Sequence, residues 1–144
     1  MRNFVGREDY TRRLQGLWRE RKTKLLSIYG RRRVGKTALI KIFAEGKKAW
    51  LFEAIEGEET PAQVKHFLRQ LSLLTEEPHI RDLDYHDWPP VFELLTQKMA
   101  QEKSLLLAFD ELSWMAAGRS RLIGTIKFYW DKHWQHHPHL VLIL

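Results

Sequence analysis

The chain contains no cysteine, so disulfide frameworks and thiolate-bound metal or redox centres are excluded, and the composition suits a reducing compartment. No apolar run approaches the roughly 20 residues needed to cross a bilayer. The first residues, Met1-Arg2-Asn3-Phe4-Val5-Gly6-Arg7-Glu8, lack the apolar stretch of a secretory signal. A cytoplasmic location and no membrane partner are therefore expected. Internal repeats and low-complexity tracts are also missing, which leaves an ordinary globular domain to consider.

What is present begins with length and charge. At 144 residues the simplest organisation is one domain over residues 1–144, large enough to withdraw roughly 68–70% of its unfolded surface from water. The formal charge of +6 is unevenly spread: residues 1–48 carry 15 Lys or Arg against 4 Asp or Glu, whereas residues 49–144 carry 9 against 14. A basic half attracts polyanions, whether nucleotide phosphates or a nucleic-acid backbone. Arg12, Arg13, Arg19, Arg21, Lys22 and Lys24 read most simply as the solvated face of a first helix and its exit.

Residues 30–37 read Gly-Arg-Arg-Arg-Val-Gly-Lys-Thr, directly after the apolar run Leu25-Leu26-Ser27-Ile28-Tyr29. A strand running into this spacing of glycines, lysine and threonine has the form of a phosphate-binding loop. Gly30 and Gly35 permit backbone angles that turn successive N–H groups inward around a polyphosphate. Lys36 reaches the outer phosphates as a point charge. Thr37, at the start of the next helix, offers its hydroxyl to Mg²⁺ while the helix N-terminus adds partial positive charge.

Periodicity places the remaining elements. A helix over residues 9–21 precedes the first strand (residues 25–29), and a helix over 36–45 stops at Gly46. A strand follows at 49–54. Thr60 reads as an N-cap with Gln63 completing a capping box, ahead of Val64, Phe67, Leu68, Leu71 and Leu74 on one apolar face. Residues 78–87 are polar and acidic, and read as a surface loop. Asp87 caps a helix that carries Trp88, Val91, Phe92, Leu95 and Met99, with Pro89 and Pro90 tolerated in its first turn. Residues 105–111, Leu-Leu-Leu-Ala-Phe-Asp-Glu, form a strand apolar enough to be buried on both faces, as in the centre of a parallel sheet. A helix over 120–135 and an apolar strand at 140–144 complete the order.

Strands alternating with helices in this way define an α/β fold with a parallel sheet and helices on both faces. Ligands of such sheets sit at the carboxyl ends of strands. The loop and the Asp110-Glu111 pair both occupy such ends and should converge, with Asp110 holding a metal ion or its water and Glu111 orienting and deprotonating a water that attacks a γ-phosphate.

Together, the phrase Phe4-Val5-Gly6-Arg7-Glu8, the arginine triplet inside residues 30–37, and Asp110-Glu111 closing an apolar strand resemble the archaeal-type AAA+ ATPases, grouped with the STAND NTPases. The resemblance covers nearly the whole chain, including the aromatic helix start at Trp88. It implies the P-loop NTPase three-layer fold, ATP or ADP with Mg²⁺, and nucleotide contacts from Gly30, Arg31, Arg32, Arg33, Val34, Gly35, Lys36, Thr37 and Ala38. It further implies metal roles for Thr37 and Asp110, a catalytic role for Glu111, and an adenine flanked by Phe4, Val5, Gly6 and Arg7. Family members continue past residues 140–144 into a polar sensor residue, a fifth core strand, and helical and DNA-binding-like C-terminal regions. The expectation is thus a truncated ATPase domain with four of five strands, strand one uncovered on one side, and a tendency to homo-oligomerise. A DNA or protein partner would be met through the missing C-terminal regions. No arginine finger is assignable, because Arg31, Arg32 and Arg33 belong to the loop and Arg119 and Arg121 have no distinguishing context.

Two functional readings follow. In the first, an ATP-binding domain uses Mg-dependent hydrolysis as a conformational switch in the intact protein, this chain either hydrolysing or only binding. In the second, a nucleic-acid-binding module tracks a phosphate backbone with its basic N-terminal half, through Arg12, Arg13, Arg19 and Arg21. A small-molecule kinase is weaker, since no acceptor-binding constellation is visible. No guanine-specifying motif is present either, so adenine rests on the resemblance. His133, His136, His137 and His139 read as a solvated helix end rather than a metal site, and Trp88, Trp130 and Trp134 as core rather than base-stacking residues.

Overall fold

A computed structural model describes residues 2–27, 35–116 and 121–144, with side chains from residue 9 onward apart from that of Trp114. Six α-helices and four strands alternate among the described residues: α1 (Arg2–Arg19), β1 (Lys24–Leu26), α2 (Lys36–Ala44), β2 (Ala49–Glu53), α3 (Thr60–Thr75), α4 (Trp88–Met99), β3 (Leu105–Asp110), α5 (Leu112–Met115), α6 (Leu122–Lys132) and β4 (Leu140–Ile143). The strands form one parallel sheet in the order β1-β4-β3-β2. The expected α/β, three-layer architecture with four parallel strands is what the chain adopts.

Successive strand residues face opposite sides, so each central strand feeds two cores. Leu105, Leu107 and Phe109 of β3 and Leu140 and Leu142 of β4 join Trp50 and Phe52 under α3, α4 and α6. Leu106, Ala108, Val141 and Ile143 face the other way, against Leu14 of α1 and Leu39, Ile40 and Phe43 of α2. The uninterrupted apolar run of β3 has its physical reason here: neither face of that strand meets water. Aromatic rings dominate the larger core. Phe52 stacks on Phe67 at 3.9 Å, and Trp134 donates its indole N–H to the Thr96 hydroxyl at 2.9 Å, so its polar end is satisfied under the helices.

The two outer strands are treated differently. Along β2, the Gln70 amide accepts from Glu53 N–H at 2.8 Å and donates to Glu53 C=O at 3.0 Å, and the Gln63 amide bonds both backbone groups of Ile55. These glutamines, seven residues apart on α3, imitate a neighbouring strand and close that edge. Among the described residues β1 pairs with β4 alone, in keeping with the expected uncovered side.

Several local expectations are corrected. The first helix begins at Arg2 rather than residue 9, and β1 covers Lys24–Leu26, with Ile28 and Tyr29 outside the described residues. Thr60 is the first residue of α3 and not its cap; Glu59 holds that position without a side-chain hydrogen bond. Gln63 does not complete a capping box because its amide is spent on the β2 edge. Asp87 does cap α4, accepting from Trp88 N–H at 2.8 Å. Residues 78–87 are not all surface loop: Pro78–Asp82 form a 3₁₀ helix whose Ile80 is fully buried, and the Glu77 carboxylate before it meets Lys98 at 2.7 Å. One apolar residue inserted into the core outweighed the polar character of its neighbours. The last helix ends at Lys132, and Trp134–His136 turn in 3₁₀ form so that Trp134 points inward.

His139 corrects the picture of a solvated histidine cluster. It is 2% exposed, its Nδ1 lies 2.8 Å from the Ser104 hydroxyl, and its ring packs on Trp18 with centroids 4.2 Å apart. His137 is half-buried, its Nδ1 accepting from His139 N–H at 3.0 Å. Burial, helped by the Arg21 and His137 charges and opposed by the Trp18 carbonyl, holds His139 below the ordinary imidazole value of 6.5. The unfolded chain therefore binds more protons than the native one below about pH 6.5, and native stability falls as pH drops through that value towards the depressed one. His139→Gln cannot take up this proton and should flatten urea midpoints between about pH 7 and pH 5 relative to the parent; parallel profiles would refute the assignment.

Candidate functional site

The site is assembled where β3 ends and α2 begins. Gly35 precedes α2 with φ of 90°, a left-handed backbone that a side chain would strain, and its carbonyl accepts from Leu39 N–H at 2.8 Å. Lys36, Thr37 and Ala38 then form the first turn, whose N–H groups have no intrahelical partner and, with the helix dipole, favour an anion. From this turn the Thr37 hydroxyl donates to Asp110 Oδ2 at 2.6 Å. The helix start and the strand end, 73 residues apart in sequence, are therefore in direct contact.

Asp110 is 9% exposed, sits in β3 as its last residue and pairs in register with Glu53. Glu111 leaves the strand with φ of 59°, in the left-handed region that costs a residue bearing a side chain about 1–2 kcal/mol. Its carbonyl accepts from Met115 N–H at 3.3 Å and so opens α5, a turn that sequence periodicity did not reveal. Two adjacent acids are thereby sent in different directions: one into the sheet end, one onto the turn above it.

The other sequence-derived candidates divide into two groups. Gly30, Arg31, Arg32, Arg33 and Val34 lie outside the described residues. Phe4, Val5, Gly6 and Arg7 form part of the first turns of α1. That helix packs through Leu14 into the core between the sheet and α2. Glu53 was not singled out by any motif, yet register sets it beside Asp110; only strand pairing could have indicated it. Among the described residues no group of three or more His, Asp or Glu side chains is placed to hold a metal ion, the C-terminal histidines included.

A parallel sheet covered on both faces, with a glycine-initiated helix meeting an acidic strand end, defines the α/β class that binds ligands above the strands' carboxyl edge. No protein-family model matches the chain. An uncharacterized ATP-binding protein of Methanocaldococcus jannaschii is 53% identical over 45 residues, which make up 31% of this chain and 76% of that protein. The chain belongs to the family of that protein. A second, uncharacterized protein of the same organism is 33% identical over 96 residues, 67% of this chain but 20% of its own length.

Proposed function

We propose that the chain binds ATP with Mg²⁺ through residues 30–38 and Asp110, and that the intact protein, of the archaeal-type AAA+ and STAND group, hydrolyses ATP to switch conformation. The Thr37–Asp110 contact carries this reading. Its two hard oxygens stand 2.6 Å apart, close to the separation of neighbouring corners around an octahedral Mg²⁺ ion, roughly 2.9 Å for ligands at 2.0–2.1 Å. The pair thus suits that cation, as its hydroxyl and carboxylate chemistry does. The name of the M. jannaschii relative supports ATP as the nucleotide.

When bound, the cation would neutralise charge on the outer phosphates. The chain's own groups do the rest. Backbone N–H groups of the first α2 turn and the Lys36 ammonium hold the phosphates, and Asp110 fixes the rotamer of Thr37 through their hydrogen bond. The Glu111 carboxylate, carried on a strained turn, accepts the proton of the attacking water. Loss of the γ-phosphate would then remove its contacts to the helix start and to the turn at Glu111, the change that a partner could sense.

Lys36→Ala removes the point charge and leaves the fold untouched, since Lys36 is outside both cores. Charge-assisted hydrogen bonds are worth about 1.5–3 kcal/mol each, so titration calorimetry should show Mg·ATP affinity reduced by about a hundredfold. Unchanged affinity, or equal affinity of the parent chain for Mg·ATP, Mg·GTP and ADP, would leave the switching role without support.

A further inference from the structure

We propose that the opposite end of the sheet is a docking surface for the backbone of double-stranded DNA. Because all four strands are parallel, the segments that lead into them meet at one pole: residues 19–24, ending on the first residue of β1, 136–139 before β4, 101–104 before β3 and 45–48 before β2. These segments hold seven Lys or Arg (Arg19, Arg21, Lys22, Lys24, Lys47, Lys48, Lys103) against Glu20, Glu45 and Glu102. Cross-links fix them as one surface. Arg21 Nη2 donates to the Ser104 hydroxyl at 3.4 Å, Ser104 meets His139, and the Leu106 N–H donates to the Lys48 carbonyl at 2.9 Å. Sequence charge had located the basic region in the N-terminal half. Strand register adds Lys103 to it, and Arg12 and Arg13 stand six or seven residues, about 10 Å, back along α1.

Part of this charge has an internal task. Lys47 donates to the Phe43 carbonyl at the end of α2 and lies over the Trp18 and Phe43 rings, and Lys24 pairs with Glu20 at 2.8 Å. Arg19, Lys22 and Lys103 are exposed, and among the described residues no carboxylate lies within ion-pair distance of them; Lys48 reaches Glu102 only at 3.9 Å. Such a surplus is what a polyanion engages.

The kind of polyanion follows from what else the pole holds. None of the large exposed apolar side chains, Tyr10, Leu25, Ile42, Leu73, Ile123 and Phe128, belongs to residues 19–24, 45–48, 101–104 or 136–139, with Leu25 following immediately. An apolar anchor for a protein hot spot or for membrane insertion is thus missing from the four segments. Trp18 is occupied by His139 and Lys47 and does not offer a face for stacking single-stranded bases. Cations stand at the two outer strands, Arg21 and Lys22 at β1 and Lys48 at β2, three strand spacings or about 14 Å apart. That separation is comparable with the roughly 12 Å major groove of B-form DNA, so the two sets can meet phosphates on both of its rims.

Fluorescence anisotropy of the full chain with a 20-base-pair DNA duplex between 50 and 200 mM KCl tests this. Four phosphate contacts predict a log–log salt slope of about −3.6 and a loss of roughly 150-fold in affinity over that range. The triple variant Lys22→Glu/Lys48→Glu/Lys103→Glu should reduce the slope by about three units. The charge-matched variant Lys65→Glu/Arg69→Glu/Lys127→Glu, on exposed positions of α3 and α6, should bind like the parent. Circular dichroism and thermal midpoints check that both variants fold. The proposal is overturned if the two variants lose equally, if the pole variant keeps the parent slope because residues 31–33 or other cations hold the duplex, or if anionic vesicles bind as tightly as DNA.

Discussion

Glu111→Gln is expected to slow ATP turnover by about 10²–10⁴-fold, the usual contribution of a positioned general base, while Mg·ATP affinity stays within about threefold of the parent. Glutamine keeps the length and hydrogen-bonding capacity of the side chain but cannot accept a proton at neutral pH. The left-handed turn at residue 111 is equally strained with either side chain, and the thermal midpoint of the variant checks that the fold is kept. Separate measurement of turnover and of nucleotide affinity distinguishes this role from phosphate binding: loss of both together would make Glu111 a binding residue, and parent-like turnover would remove it from the chemistry.

Phe92→Ala is expected to destabilise the native state by about 3–5 kcal/mol, the range for truncating a buried aromatic. Phe92 is fully buried, with ring centroids 5.5 to 6.1 Å from those of Trp134, Phe109, Trp88, Tyr129 and Phe67. It is the ring through which α3, α4, α6 and β3 meet. The neighbouring Tyr129, whose phenol is pushed up to about 12 by burial and then by its 3.0 Å hydrogen bond to Glu93, is tied in place, so this wall cannot readily collapse into the cavity. Set against a total stability of about 5–15 kcal/mol for ordinary domains, the change should lower the thermal midpoint by roughly 10 °C or more. A shift below 2 °C in differential scanning calorimetry would mean that the aromatic cluster is not the chief support of the helical layer. Lys36→Ala, by contrast, should leave the midpoint in place.

Strand identity was legible because it is a local property. Residues 105–109 are apolar without a break, and no amphipathic helix has that pattern. The apolar faces of α3 and α4 were legible for the same reason, each repeating at three- and four-residue intervals. The misreadings fall where a contact distant in sequence overrode a local signal. Gln63 suits a capping box until the β2 edge competes for its amide. His139 looks solvated among other histidines until Trp18, 121 positions earlier, covers it. Ile80 looks like a stray apolar residue in a polar loop until the core accepts it.

By itself, then, the sequence determined which residues could make strands and helices, and which residue types could handle phosphate, because backbone preferences, periodicity and side-chain chemistry are carried by neighbours in the chain. The tertiary structure decided that β1 lies beside β4, that Thr37 touches Asp110, and that cations from both halves of the chain share one pole. Those outcomes depend on how two apolar faces of one sheet can be covered at once, a condition that no stretch of residues satisfies alone.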